Sequence, residues 1–315
     1  MIKRLQNKIA ESRLALPFMV VYACLIWLAA GLVSNGWWLQ FGCFATSCYL
    51  MATMNNVHVL LRIYSRMVSC VFIALSCTAC FLFPSLNGAV TEICMIACLL
   101  LWFTSYQDRE ASGRTYYAML FLGIASMTFV EVLWLLPMMW VMMYTNLMSL
   151  SWKTWMASLL GVLTPYWAWF CWLLYYGSLS TLTDHFSQLA TTPTFSIAQW
   201  TEDIPSLLML LLVFVMAAIG TTHFIRKHAD DKIRIRMLYA IFIWMDAVTL
   251  LMLLLMPQHY DTLIRLMVVF TSPLMGHYIA LTRTRMTDIT FKVLAVIILA
   301  ITFYHLWLWN TSSPS

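Results

Sequence analysis

Residues 115–177 read TYYAMLFLGIASMTFVEVLWLLPMMWVMMYTNLMSLSWKTWMASLLGVLTPYWAWFCWLLYYG, an almost wholly apolar run broken by Gly123, Glu131, Pro137, Lys153, Gly161 and Pro165. A helix rises 1.5 Å per residue and a bilayer's hydrocarbon core is about 30 Å thick, so Thr115 to Leu150 is too long for one crossing. Arg114 and Lys153 flank that part at its two ends. Basic residues collect on the cytoplasmic side of a membrane, so both ends belong on one side and the chain turns back near Thr128 to Glu131. The stretch is therefore a membrane hairpin followed by a further helix.

The rest of the chain has the same character. Hydrophobic residues are 62% and charged residues 10% of the sequence, against about 25% charged in an ordinary soluble domain. Too little polar surface remains for a water-soluble fold. The expectation is an all-α polytopic helix bundle forming one transmembrane domain over residues 1–315. The amino-terminal apolar run follows a basic start but is long and lacks a small-residue cleavage site, which reads as a retained first helix.

Apolar runs predict helices near 15–33, 37–61, 67–83, 89–106, 116–130, 132–149, 154–177, 205–224, 237–256, 262–281 and 289–309, about eleven crossings by the length rule. The weakest is 116–130, about 22 Å at helical rise. With the amino terminus cytoplasmic, the inner segments hold Lys3, Arg4, Lys8 and Arg13, then Arg62 and Arg66, Arg109 and Arg114, and Lys153. Further inner segments hold Arg226, Lys227, Lys232, Arg234 and Arg236, then Arg283, Arg285 and Lys292. Of the eighteen basic residues only Arg265 falls toward the other face, and a wrong helix count would mix the sides. The +5 net charge thus reflects orientation in a bacterial inner membrane, with the carboxyl terminus periplasmic, and does not indicate nucleic acid as a partner. One outer loop, 178–204, is long and carries no Lys or Arg.

The nine cysteines all lie in apolar runs and read as small hydrophobes. Cys77 and Cys80 form a C-x-x-C, but no His cluster accompanies them, so no metal site is expected. No residue pattern names a cofactor.

Ionisable groups within spans are candidate sites because burying them in lipid is costly. Asp246, in LYAIFIWMDAVTLLMLLLMP, falls near the middle of its helix; it is expected to be protonated or tied to Arg265 on the next helix. Glu92, Glu131, Asp261 and Arg265 all fall toward outer helix ends. Together they would line an outward-facing pocket, with Glu92 or Glu131 as the catalytic acidic group and Arg265 binding a phosphate. The plainer alternative has each carboxylate reaching up to the headgroup layer. Asp184 and His185 in the long outer loop are a further candidate substrate contact, or a solvated pair. Asn55, Asn56 and His58 form a polar knot in ATMNNVHVLLRI, suited to interhelical hydrogen bonds or to a polar lining. RKHADDKIRIR, 226–236, reads as a solvated turn with a basic flank.

Two features resemble the core of the GT-C class of membrane glycosyltransferases, which use polyprenyl-phosphate sugars at the outer face. FLFPSLNGAVTE (81–92) is similar to their Pro-ended outer loop leading into a helix that begins with an acidic residue. LGIASMTFVEVLWLLP (122–137) and WKTWMASLLGVLTPYW (152–167) are similar to their later hairpin, so the likeness covers about 67–177. The chain also resembles a family of multi-pass inner-membrane proteins of the Bacteroidetes. The GT-C likeness implies envelope glycan or glycolipid assembly from a polyprenyl-phosphate-linked sugar, with Glu92 at the second acidic position of the class. The first outer loop is only Ser34–Gly36 and has no carboxylate, where the class carries its catalytic acid. Three readings follow: a glycosyltransferase-like enzyme, a transporter or flippase using Asp246, and a non-catalytic subunit with an envelope protein partner.

Overall fold

The computed structural model describes residues 4–177, 180–190 and 203–312. Lys3, most of the long loop 178–204 and the last three residues lie outside the described residues. What is described is helical, with no strand among the described residues. The helices are α1 (Leu5–Ala10), α2 (Ala15–Ala29), α3 (Trp38–His58) and α4 (Met67–Thr78). Then come α5 (Leu86–Trp102), α6 (Ser112–Thr128), α7 (Leu135–Thr145), α8 (Trp152–Tyr176) and α9 (Ser180–Ser187). The last four are α10 (Ile204–Lys227), α11 (Ile233–Leu255), α12 (Tyr260–Leu281) and α13 (Arg285–Ser312). Each of the eleven predicted stretches overlaps one of these helices, with ends that differ by a few residues.

Among the described residues six helical stretches are long and apolar enough to cross a membrane: 86–105, 152–176, 204–227, 233–255, 257–281 and 285–311. The last of them presents Ile289, Val293, Val296, Phe303 and Trp307 outward. A continuous exposed apolar face of this kind is a lipid contact. The chain is a helical membrane protein.

α12 is the centre. Every side chain from Leu266 to Ala280 is buried, and α4, α5, α10 and α11 pack around it. A second tier runs outward from α5 through α6 to α8, the hairpin of the opening stretch. α6 spans seventeen residues, about 25 Å. α8 begins with a reciprocal cap, Ser151 accepting from the Thr154 N–H while the Ser151 N–H donates to the Thr154 hydroxyl, and ends on Gly177 at φ 70, the left-handed conformation that suits glycine.

Two glycines set the α6–α8 spacing. A Cβ on Gly161 would lie 2.5 Å from the Tyr116 carbonyl oxygen, and one on Gly123 would lie 2.7 Å from that of Val162. Small residues let helices approach closely enough for dispersion to hold them where no hydrophobic drive acts between them. Gly161→Val is expected to lower the thermal midpoint of the purified protein, overpacking of this kind costing about 1–3 kcal/mol. A variant melting like wild type would show that α6 and α8 separate there at no cost.

The ends of the bundle match the predicted grouping of loops. At one end Arg4 donates to the Arg283 carbonyl, Asn7 to Thr282 O at 2.9 Å, Arg62 faces Asp230 at 3.8 Å, and Lys153 meets Glu110 at 2.7 Å. At the other end Gln40 donates to Pro84 O at 3.4 Å, Tyr260 to Ser206 O at 2.8 Å, and Trp309 to Ala30 O at 3.1 Å.

Candidate functional site: buried charges along the central helices

Four carboxylates are buried among the described residues: Glu92, Glu131, Asp231 and Asp246. Each sits against or beside α12, and their partners differ.

Glu92 is only 3% exposed. It does not reach a headgroup layer, because Arg265 comes to it: Nη1 donates to Glu92 Oε2 at 3.1 Å and Nη2 to Leu82 O at 2.6 Å. Gly88, one turn before Glu92, leaves the room for the guanidinium; a Cβ there would stand 3.0 Å from Arg265 Nε. The expected Asp246–Arg265 tie is absent. Thr271, which bonds Asp246, lies six residues beyond Arg265 on α12, about 9 Å along the axis and roughly 120° around it. Arg265 therefore points at α5 and not at α11. The void beside the Glu92–Arg265 pair is about 10 Å³, room for about one water and not for a sugar phosphate.

Glu131, on a 3-10 turn over Val130–Trp134, is 1% exposed and likewise does not snorkel. Its Oε1 lies 3.0 Å from His259 Nε2, and the His259 ring packs on Phe129 with centroids 5.3 Å apart. The residues named for an outward pocket thus form two closed pairs. Asp261 stands apart, exposed at the start of α12. Asp184 and His185 lie on helix α9 within the long loop, and they diverge. Asp184 is exposed, whereas His185 Nε2 reaches Ser126 O at 3.1 Å and the Tyr166 hydroxyl at 3.4 Å.

Asp246, 6% exposed, has no cation among the described residues. The Thr271 hydroxyl donates to its carboxyl, 3.3 Å from Oδ1 and 3.2 Å from Oδ2. Toward the other end, Asn55 Nδ2 donates to Ser65 O at 2.9 Å, while Asn56 is exposed. His58 Nε2 lies 2.9 Å from Leu100 O and its Nδ1 3.3 Å from an Arg234 nitrogen.

Asp231 overturns the reading of 226–236 as a wholly solvated turn. Its side chain is 3% exposed, with Oδ2 2.9 Å from His277 Nε2 and Oδ1 3.8 Å from Arg62 Nε. His277 lies beside the rings of Tyr239 at 4.9 Å and His223 at 5.6 Å. Tyr239 Oη, His277 Nδ1 and His223 Nε2 are buried with no hydrogen-bond partner among the described residues. Sequence reasoning passed over this cluster and over His259. The available signal was His277 itself, a polar residue inside SPLMGHYIAL.

Burial pushes the Asp231 carboxyl up, but the His277 hydrogen bond and the charges of His277, Arg62 and His223 outweigh it and hold the group below its ordinary value. A depressed carboxyl contributes stability that is present above its unfolded value, about 3.9, and is lost as pH falls through the lower folded value. Asp231→Asn is expected to melt below wild type at pH 7, with the gap closing as both are acidified below about pH 4. A gap that stays constant with pH would assign the loss to packing.

No family model, curated protein or solved structure matches the chain.

Proposed function

We propose that the protein crosses a bacterial inner membrane about eleven times, amino terminus cytoplasmic and carboxyl terminus periplasmic, and moves a lipid-linked envelope precursor across it as a transporter or flippase. The observation that carries this reading is the contrast among the four buried carboxylates. Glu92, Glu131 and Asp231 each lie within 4.0 Å of a cationic or protonatable side chain, whereas Asp246 has only the Thr271 hydroxyl. A charge left unpaired in that setting costs several kcal/mol, so Asp246 is the group whose proton is taken up and released as the bundle changes state. Thr271 holds the acid in this closed arrangement, and a state that admits water or substrate between α11 and α12 releases the proton.

The reading is tested in proteoliposomes carrying a fluorescent polyprenyl phosphate, with and without an imposed proton gradient. Probe movement across the bilayer that follows the gradient is the expected result. Movement no faster than in empty vesicles would overturn it.

A second reading, a GT-C-like glycosyltransferase with Glu92 and Arg265 at its centre, is favoured by one detail. Arg265 Nε is buried without a hydrogen-bond partner among the described residues, a third donor available to a phosphate oxygen if Glu92 were displaced. Transfer of a sugar from a polyprenyl-phosphate donor by the purified protein would support that reading over transport.

A further inference from the structure

At the end of the bundle that carries the basic loops, a crevice of about 510 Å³ opens between α2, α4, α12 and α13, closed at one end by α1. Binding pockets run to about 300–1,000 Å³, so the space is of ligand size. Its inner wall is Cys70 and Val71 of α4 with Met275 and Ile279 of α12, and its sides are Phe18 and Phe291. No charged side chain lines it. The hydroxyl of Tyr22, on its wall, is already engaged with Thr302 at 3.2 Å. A polar occupant would find almost nothing to bond. The rim faces sideways, with Leu14 65% and Phe18 74% exposed, so an apolar chain can enter from within a bilayer.

The two segments that frame this end of the crevice are 4–13 and 283–292. They carry Arg4, Lys8, Arg13, Arg283, Arg285 and Lys292 against Glu11 and Asp288, six basic residues to two acidic. They are joined by the Arg4 donation to Arg283 O and by Gln6 N to Asp288 Oδ1 at 3.1 Å, and Asp288 also holds Lys292 at 2.8 Å. Lys8, Arg13, Arg283 and Arg285 are exposed around the opening. An apolar slot under a basic collar is complementary to a molecule with a hydrocarbon chain and an anionic head.

We propose that the crevice holds one acyl chain of an anionic glycerophospholipid, with its phosphate against the collar of Lys8, Arg13, Arg283 and Arg285. Charge at the membrane surface, where basic residues attract anionic lipid, gives the selectivity, and burial of the chain gives the residence. The site lies at the opposite end of α12 from Arg265 and does not depend on Asp246, so its failure and the failure of the transport reading are separately visible.

The test is native mass spectrometry of the delipidated full chain titrated with phosphatidylglycerol and, separately, phosphatidylcholine. One phosphatidylglycerol bound at least about tenfold more tightly than phosphatidylcholine is the expected result. Ala74→Trp, which fills the slot, should lose that one-to-one adduct. Arg13→Gln/Arg283→Gln/Arg285→Gln should keep an adduct but bring the two lipids to within about twofold of each other. If Ala74→Trp fails to fold, Leu299→Trp at the rim is the substitute. Equal binding of the two lipids by wild type, or an undiminished adduct in a folded slot-filled variant, would overturn the proposal.

Discussion

Asp246→Asn is expected to reduce gradient-driven movement of the polyprenyl phosphate probe to the level of empty vesicles while leaving the protein folded. Asparagine has nearly the shape of protonated aspartic acid and can still accept from the Thr271 hydroxyl, which lies 3.2 Å from Oδ2 in the wild type. What it lacks is a proton to release. Its thermal midpoint should stay at or near the wild-type value, because no ion pair is broken at this position. Thr271→Val removes the hydroxyl that donates to Asp246 and should alter the pH at which movement is half-maximal without abolishing it. An Asp246→Asn variant that follows the gradient at the wild-type rate would reduce Asp246 to a packing residue and leave the transport reading without its carrier.

Arg265→Met should be the most destabilising single substitution at its end of the bundle. It strands Glu92, 3% exposed, as an unpaired carboxylate and frees the Leu82 carbonyl that Arg265 now caps at 2.6 Å. Breaking one side of a buried ion pair costs about 3–5 kcal/mol. The double variant Arg265→Met/Glu92→Met removes both charges and should recover most of the loss, since buried pairs replaced by well-packed apolar residues are often neutral or better. Thermal unfolding of the single and double variants reads this directly. If Arg265→Met melts like wild type, the pair does not hold that end of the bundle together. A folded double variant that still transfers sugar would exclude Glu92 and Arg265 as the centre of a glycosyltransferase.

Much of this architecture was legible in one dimension because a bilayer imposes a simple rule on each segment. A span needs about twenty apolar residues, and Lys and Arg translocate poorly. Arg4, Arg62, Lys153 and Arg283 were grouped with the inner loops by sign and spacing alone, and each meets another of those loops: Arg4 the Arg283 carbonyl, Arg62 Asp230 and Lys153 Glu110. The ionisable residues within apolar runs were equally visible, since their cost in lipid does not depend on neighbours: Glu92, Glu131, Arg265 and Asp246 all stood out.

Which of them pair was not legible. Arg265 lies nearer in sequence to Asp246 than to Glu92, and only the phase of α12 sends it to α5. His259 and His277 were passed over because each sits singly, and their meaning comes from Glu131 and Asp231, more than forty residues away. Asp231 looked solvated because its neighbours are charged; the packing of α10, α11 and α12 buries it. The lipid crevice has no sequence signature at all, being the gap left where α2 and α13 diverge over α4.

The sequence by itself determined that this chain is a helical membrane protein, where its helices lie and which loops share a side, because hydrophobic length and charge act segment by segment. Tertiary structure alone decided that three buried carboxylates have cationic or protonatable partners and that Asp246, among the described residues, has only the Thr271 hydroxyl. Pairing depends on how each helix is rotated about its axis, and that rotation is set by close packing such as Gly161 against Tyr116, a property of two surfaces together and of neither sequence alone.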